Sequence, residues 1–285
     1  MVKPILGIML LALGTQSGCS MSPVRSIPAM SWEESMVFQP ERHQEGIGHA
    51  KDPSFADAWF HTPDGIRLHG WFASVPQPRA VVLYMHGNAG NIDSRQDVVR
   101  LFRDRLRTSI LIFDYRGYGR SEGSPSEAGI LADARAARRW LAERTGVAEK
   151  DIVLVGNSLG GSVAVDLAAK DGARGLVLEN TFSSLPEVAA YHFPLLPVSW
   201  IMKTRLNSAA KIAAYHGPLL QTHGDADRVV PFASGQKLFA AANEPKEFVK
   251  RPGGDHNDPL TAEYWMRLDQ FLDSLSTIAS STKQP

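Results

Sequence analysis

The sequence predicts an α/β fold, with a mostly parallel central sheet flanked by helices, and three observations lead there. Short apolar or β-branched runs alternate with stretches of helical period along most of the chain. The loops that carry the candidate chemistry begin where those runs end, as ligand sites do in open α/β sheets. The 285 residues, 44% hydrophobic and 21% charged, suffice for one large domain with a substantial core.

The N-terminus differs from the rest. Lys3 precedes an apolar run from Ile5 to Leu13, and small and polar residues then lead to Gly18-Cys19-Ser20. Such a start resembles a secretory signal peptide and is short for a membrane-spanning helix. Cys19 is the only cysteine, which excludes an intramolecular disulfide. Its position after Ser17-Gly18 resembles a bacterial lipoprotein processing site, although Gln16 stands where an aliphatic residue is usual. Lipidation at Cys19 would make residues 1–18 a leader and 19–31 a tether, anchoring the protein to a membrane on the periplasmic or outer side. Cleavage nearby and an uncleaved anchor are the alternatives.

Residues 56–62 and 66–73 flank a Pro63-Asp64-Gly65 turn and predict an opening hairpin. Further strands are expected over 80–85, 110–113, 152–155, 175–178, 218–222 and 247–250. Between them, helices are expected over 92–106, 125–144, 158–170, 232–243 and 259–275. The second begins with Ser124-Pro125-Ser126-Glu127, read as a capping box with proline at the first helical position. One domain, about 32–280, contains these elements. Residues 182–216 are too long for a plain connection and predict a short helical cap. Its run from Tyr191 to Trp200 lines an acyl pocket, packs the cap onto the domain, or meets lipid. With 30 basic and 30 acidic residues, no global field favours nucleic acid or anionic membranes.

Two stretches match G-x-S-x-G, around Ser121 and Ser158. A nucleophile elbow is a sharp strand-to-helix turn with small neighbours. Ser158 follows the run Ile152-Val-Leu-Val155 and leads into a helical pattern, with Gly156, Gly160 and Gly161 around it. Ser121 sits inside a loop and is read as a decoy. A serine hydroxyl needs a base, and His256 stands in Gly253-Gly-Asp-His-Asn-Asp258 after the last strand. His223 is the runner-up, while His192 and His216 are read as surface residues. Asp225 and Asp227, in the stretch 223–231, compete to orient that base.

The blocks HGNAGN, FDYRGYGRSEGSPSE, GNSLGG, HGDADRVVP and GGDHND, in this order, resemble the α/β-hydrolase fold, in particular an abhydrolase-domain subgroup of serine hydrolases. The resemblance covers about residues 59–275. It implies that Asp227 is the acid and Asp225 a loop residue. It also implies an oxyanion hole from the backbone amides of Leu159 and Asn88, with His86 bracing that loop. Asp114 and Glu179 are read as structural. The implied activity is hydrolysis of a carboxylic ester or acyl-thioester through an acyl-enzyme, with a small-molecule or acylated substrate and no metal or organic cofactor. Eukaryotic members of the subgroup include membrane-tethered protein depalmitoylases. A peptidase or acyltransferase using the same three residues, and a silent membrane-tethered binding module, are the competing readings.

Overall fold

Alternating burial and a glycine turn set the first supersecondary unit. β1 (Ala56–His61) and β2 (Arg67–Ala73) pair antiparallel, with Ala56 opposite Phe72 and His61 opposite Arg67. The Gly65 amide donates to the Thr62 carbonyl at 2.9 Å, and Gly65 takes a φ of 81°, a conformation open to glycine. The structure, a computed structural model, describes residues 30–42 and 52–281; the leader and Cys19 lie outside the described residues.

Six more strands follow: β3 (Ala80–Met85), β4 (Thr108–Phe113), β5 (Val153–Asn157), β6 (Gly175–Glu179), β7 (Leu219–Gly224) and β8 (Lys246–Arg251). They form one sheet in the order β1-β2-β4-β3-β5-β6-β7-β8. β2 pairs antiparallel with β4, and every pairing from β4 to β8 is parallel. β3 and β4 are buried at every position, which is why residues 80–85 and 110–113 read as apolar runs.

The helices are α1 (Trp32–Val37), α2 (Gln96–Arg100), α3 (Glu127–Thr145), α4 (Leu159–Asp171), α5 (Leu185–His192), α6 (Val198–Ile201), α7 (Ser208–Ile212), α8 (Phe232–Ala241) and α9 (Ala262–Ser281). The two-residue period of the strands divides the core between the faces of the sheet. Leu83, Met85, Leu111 and Leu154 pack with Ile130 of α3 and Val163 of α4. Val82, Tyr84, Ile112 and Val155 face the other way, toward Val99 of α2 and Leu268 of α9.

Several expectations need correction. The helix expected over 92–106 is broken into a 3-10 turn (Ile92–Arg95), α2 and a π turn (Leu101–Arg105). Tertiary bonds hold both ends: the Ile92 amide donates to Asp114 Oδ1 at 3.0 Å, and Thr108 Oγ1 donates to the Phe102 carbonyl at 2.8 Å. The helix expected from Pro125 starts at Glu127, with Ser126 as N-cap accepting from the Gly129 amide at 3.1 Å. Glu127 closes no capping box. Its carboxylate accepts from the amides of Arg205 (2.7 Å) and Leu206 (3.1 Å), charge-assisted bonds that fasten the cap.

The segment 182–216 carries α5, α6 and α7. Its base is closed by two bonds, from the Leu185 amide to the Arg205 carbonyl (3.0 Å) and from the Ala209 amide to the Ser183 carbonyl (2.9 Å). Val198 is buried, but Tyr191, Leu195, Leu196, Trp200 and Ile201 are exposed, so this run does not pack the cap onto the domain. Helix α1 falls outside every predicted element. Ser31 and Glu34 form a reciprocal capping box there, and Glu33 accepts from the amides of Lys203 (2.9 Å) and Thr204 (2.6 Å) in the cap.

Candidate active site

The bend at Ser158 is built by what surrounds it. β5 ends at Asn157, α4 begins at Leu159, and Ser158 between them has φ 51° and ψ −115°. A non-glycine residue at positive φ is strained and is held by its neighbours. The Ser158 amide donates to the Glu179 carbonyl at 2.8 Å, and the Gly161 amide donates to the Ser158 carbonyl at 3.0 Å. A Cβ on Gly160 would overlap the carbonyl of Met85, and one on Gly156 would lie 2.5 Å from the Gly161 Cα. The glycines therefore let backbone cross backbone at the turn.

Ser158, His256 and Asp227 come together at this bend. Ser158 Oγ lies 3.1 Å from His256 Nε2, and His256 Nδ1 lies 2.7 Å from Asp227 Oδ2. Asp227 Oδ1 accepts from the amides of Val229 and Val230, each at 2.8 Å. Burial works to raise the Asp227 pKa, but hydrogen bonds from His223 and His256 and the amide of Val230 outweigh it and hold the carboxyl well below its ordinary range. The ring of His256 is thus oriented from one side and faces the hydroxyl with the other. Such a chain can move a proton from Ser158 Oγ to an imidazole flanked by a carboxylate.

The neighbouring loops make contacts of their own. Asp225 points away from His256: its Oδ1 accepts from the Gly253 amide at 2.6 Å and its Oδ2 pairs with Lys250 Nζ at 2.9 Å. Asp225→Asn is accordingly expected to change kcat less than about threefold in an ester assay, because its contacts lie in the loop and not on the imidazole.

Leu159 is the first residue of α4, so its amide has no intrahelical acceptor. The loop after β3 passes beside Ser158, since a Cβ on Gly87 would lie 3.5 Å from the Ser158 Cβ. Asn88 follows it, with a side chain committed elsewhere: Nδ2 donates to the Val37 carbonyl (2.6 Å), and Oδ1 accepts from Tyr118 Oη (2.8 Å). His86 is fully buried, its Nδ1 2.7 Å from the Gly87 carbonyl, which makes it a brace for this loop.

Ser121 is sealed inside the protein. Its Oγ donates to the Asp114 carbonyl (2.6 Å) and accepts from the His69 amide (2.9 Å), so it staples its own loop to β2 and to the end of β4. Ser121→Ala leaves both buried partners unpaired and is expected to cost about 2–3 kcal/mol in urea unfolding, with fluorophosphonate labelling retained. Asp114 Oδ1 holds the Ile92 amide, and Glu179 is buried among the hydroxyls of Tyr84 (2.9 Å) and Tyr264 (2.5 Å). Burial raises the Glu179 carboxyl above its ordinary value. His216 is exposed, while His192, also exposed, holds the Val229 carbonyl through Nε2 at 2.9 Å and so ties the cap to the acid loop.

Three contributors were not singled out from the sequence for this task. His223 is fully buried, with Nε2 3.0 Å from the Val230 carbonyl and 3.3 Å from Asp227 Oδ2. A ring nitrogen facing a carbonyl carries the hydrogen, so His223 presents a second donor to the acid. Asn180 and Arg251 hold the other loop: Asn180 Nδ2 donates to the His256 carbonyl at 2.8 Å, and Arg251 Nη2 donates to Asn180 Oδ1 at 2.9 Å. The spacing of His223 and Asp227 within HGDAD was the only local signal. Among the described residues, no group of three or more His, Cys, Asp or Glu side chains is placed to hold a metal ion.

A model of the α/β-hydrolase fold matches residues 80–200. The α/β hydrolase domain-containing protein WAV2 of Arabidopsis thaliana is 35% identical over 272 residues, covering 86% of this chain and 88% of that protein. The chain belongs to the α/β-hydrolase family. An uncharacterized protein of Mycobacterium tuberculosis is 41% identical to this hydrolase-family chain over 251 residues, 87% of this chain and 89% of the relative. Among solved structures, an esterase of Pyrococcus furiosus superposes with a TM-score of 0.69 at 21% identity, covering 84% of this chain and 98% of that one, a likeness of fold.

Proposed function

We propose that this α/β-hydrolase family member is a serine hydrolase that cleaves a carboxylic ester or acyl-thioester, in the manner of the abhydrolase-domain subgroup whose motifs it resembles. The observation that carries the reading is the unbroken chain from Asp227 through His256 to Ser158 Oγ at a positive-φ elbow. Ser158 Oγ attacks the acyl carbon while His256 Nε2 takes its proton. The carbonyl oxygen gains the negative charge and accepts from the amides of Leu159 and Asn88. Collapse expels the alcohol or thiol, which takes the proton from His256. Water then attacks the acyl-enzyme, giving up a proton to His256, and the acid leaves as Ser158 Oγ is reprotonated. The Pyrococcus furiosus fold neighbour is an esterase, which supports the reading.

The test is to trap the intermediate. After a brief reaction with a p-nitrophenyl ester and acid quench, the peptide carrying Ser158 is expected to gain the mass of the acyl group. Parallel series of p-nitrophenyl esters and acyl-thioesters then rank the leaving groups. An unmodified Ser158 peptide during steady turnover would refute the acyl-enzyme.

The anchoring of the chain through Cys19 belongs to the same proposal and rests on the leader pattern in the sequence. Cys19→Ser is expected to abolish acylation, detected as the loss of labelling by an alkynyl fatty acid in growing cells. Labelling that persists in the variant would exclude this site.

A further inference from the structure

We infer that residues 37–42 form a strap that positions the oxyanion hole, with the side chain of Asn88 as its handle. The inference rests on the hydrolase reading, in which the Asn88 amide is one of two donors to the developing oxyanion. That amide donates to no other group among the described residues. The residue before it lies beside Ser158, a Cβ on Gly87 being 3.5 Å from the Ser158 Cβ. A donor kept free for a charge cannot hold its own loop in place, so other bonds have to.

Those bonds come from the strap. Asn88 Nδ2 donates to the Val37 carbonyl at 2.6 Å, and Oδ1 accepts from the Gln39 amide at 3.2 Å and from Tyr118 Oη at 2.8 Å. Phe38, between the two residues that grip Asn88, is buried in the same core cluster as Tyr115 and Tyr118 and pins the strap from inside. The next three residues lace the loop to its neighbour. Pro40 bridges Gly90 and Arg42 bridges Gly119. The Glu41 carbonyl accepts from Asn91 Nδ2 at 3.3 Å and from the Gly119 amide at 2.9 Å. The Arg42 guanidinium closes the end, donating to the carbonyls of Ser121 (3.1 Å) and Gly123 (2.9 Å).

Asparagine suits the handle because it offers a donor and an acceptor on one short side chain. Alanine has neither, and an ionised aspartate could not donate to Val37. Val37 and Gln39 reach Asn88 through their main chains and act on the oxyanion only through it, which makes them positioning residues. The expected effect is on rate, since oxyanion donors work by being aimed in advance and a misplacement of about 1 Å can cost about 10²-fold.

Single-turnover kinetics, with the full chain in excess over a p-nitrophenyl ester, give the acylation rate constant and the Kd of the ester separately. Asn88→Ala is expected to lower the rate constant by about tenfold or more and to leave the Kd within about twofold. Gln39→Pro removes the amide hydrogen, and the extended Phe38 before it (φ −95°, ψ 131°) accepts a following proline. This variant is expected to lose about threefold or more in the same rate constant. The double variant is expected to match Asn88→Ala within about twofold, because Gln39 acts through Asn88. An alkyl trifluoromethyl ketone, which forms a tetrahedral adduct on a serine, is expected to bind each variant more weakly by the factor lost in acylation. A purely structural strap would lower the urea midpoint and move none of these ratios. Folded variants that acylate within about twofold of the parent therefore overturn the inference. So does a weaker Kd at an unchanged rate constant, which would assign the strap to substrate binding, and so does a double variant whose loss is the product of the single losses. A parent that releases no p-nitrophenolate and leaves Ser158 unmodified fails the hydrolase reading itself, and the inference falls with it.

Discussion

Ser158→Ala is expected to lower kcat/KM for a p-nitrophenyl ester by about 10⁴-fold or more and to abolish labelling by a fluorophosphonate. Nucleophile and base act as a unit, so losing one removes nearly the whole benefit of both. Under the proposed mechanism, what survives is the residual rate from substrate binding and the amides of Leu159 and Asn88. The change removes one oxygen whose hydrogen-bonding partner is His256 Nε2 at 3.1 Å, and leaves the φ of 51° to the same backbone restraints. Thermal unfolding should therefore stay within a few degrees of the parent. Turnover at the parental rate would place the nucleophile elsewhere, and the sealed Oγ of Ser121 offers no substitute.

Asp227→Asn carries the second large effect, a fall in kcat/KM of roughly 10³–10⁴-fold at neutral pH. The reason lies in donor counting. Asp227 accepts from two backbone amides through Oδ1 and faces two imidazole nitrogens through Oδ2, at 2.7 Å from His256 and 3.3 Å from His223. An asparagine that keeps its carbonyl on the amides turns an NH2 group toward both rings. His256 can satisfy that group only with an unprotonated Nδ1, which moves the hydrogen to Nε2 and leaves nothing to accept the serine proton. A variant as fast as the parent would remove Asp227 from the mechanism.

The same substitution has a pH signature. The folded-state pKa of Asp227 lies well below its ordinary value of about 3.9. The unfolded chain therefore binds more protons in that window, and stability rises with pH through it. The contribution of Asp227 is complete above roughly pH 4 and is lost as the pH falls further. Asp227→Asn is expected to flatten this acid limb in urea unfolding measured between about pH 2 and 5. An acid limb with the parental slope would show that other carboxylates set it.

Which parts of the site were legible follows from how far apart the deciding groups lie in the chain. Ser158 was distinguishable from Ser121 because a strand run, small neighbours and a helical pattern all sit within ten residues of it. Asp227 was separable from Asp225 only through a family motif, since the two differ by which loop atom each carboxylate meets. For Asp225 that atom is the Gly253 amide, 28 residues away. The capping box of α1 at Ser31 and Glu34 was readable by the rule applied to Ser124, yet Glu127 was committed to amides 78 and 79 residues downstream. A pattern that matches a cap locally loses to a distant pair of donors.

Strand runs, the opening hairpin, the strand-to-helix bend at Ser158 and the helices α3, α4, α8 and α9 were determined by the sequence itself, because period and turn chemistry act between neighbours. Tertiary structure alone decided the approach of His223 to the acid, the brace of Asn180 and Arg251 behind His256, and the docking of α1 on Asn88. It also decided that the apolar run of the cap faces outward. These features depend on which side chains meet once the sheet has ordered its strands, and burial and hydrogen bonding between residues far apart in the chain choose among arrangements that a local pattern leaves equivalent.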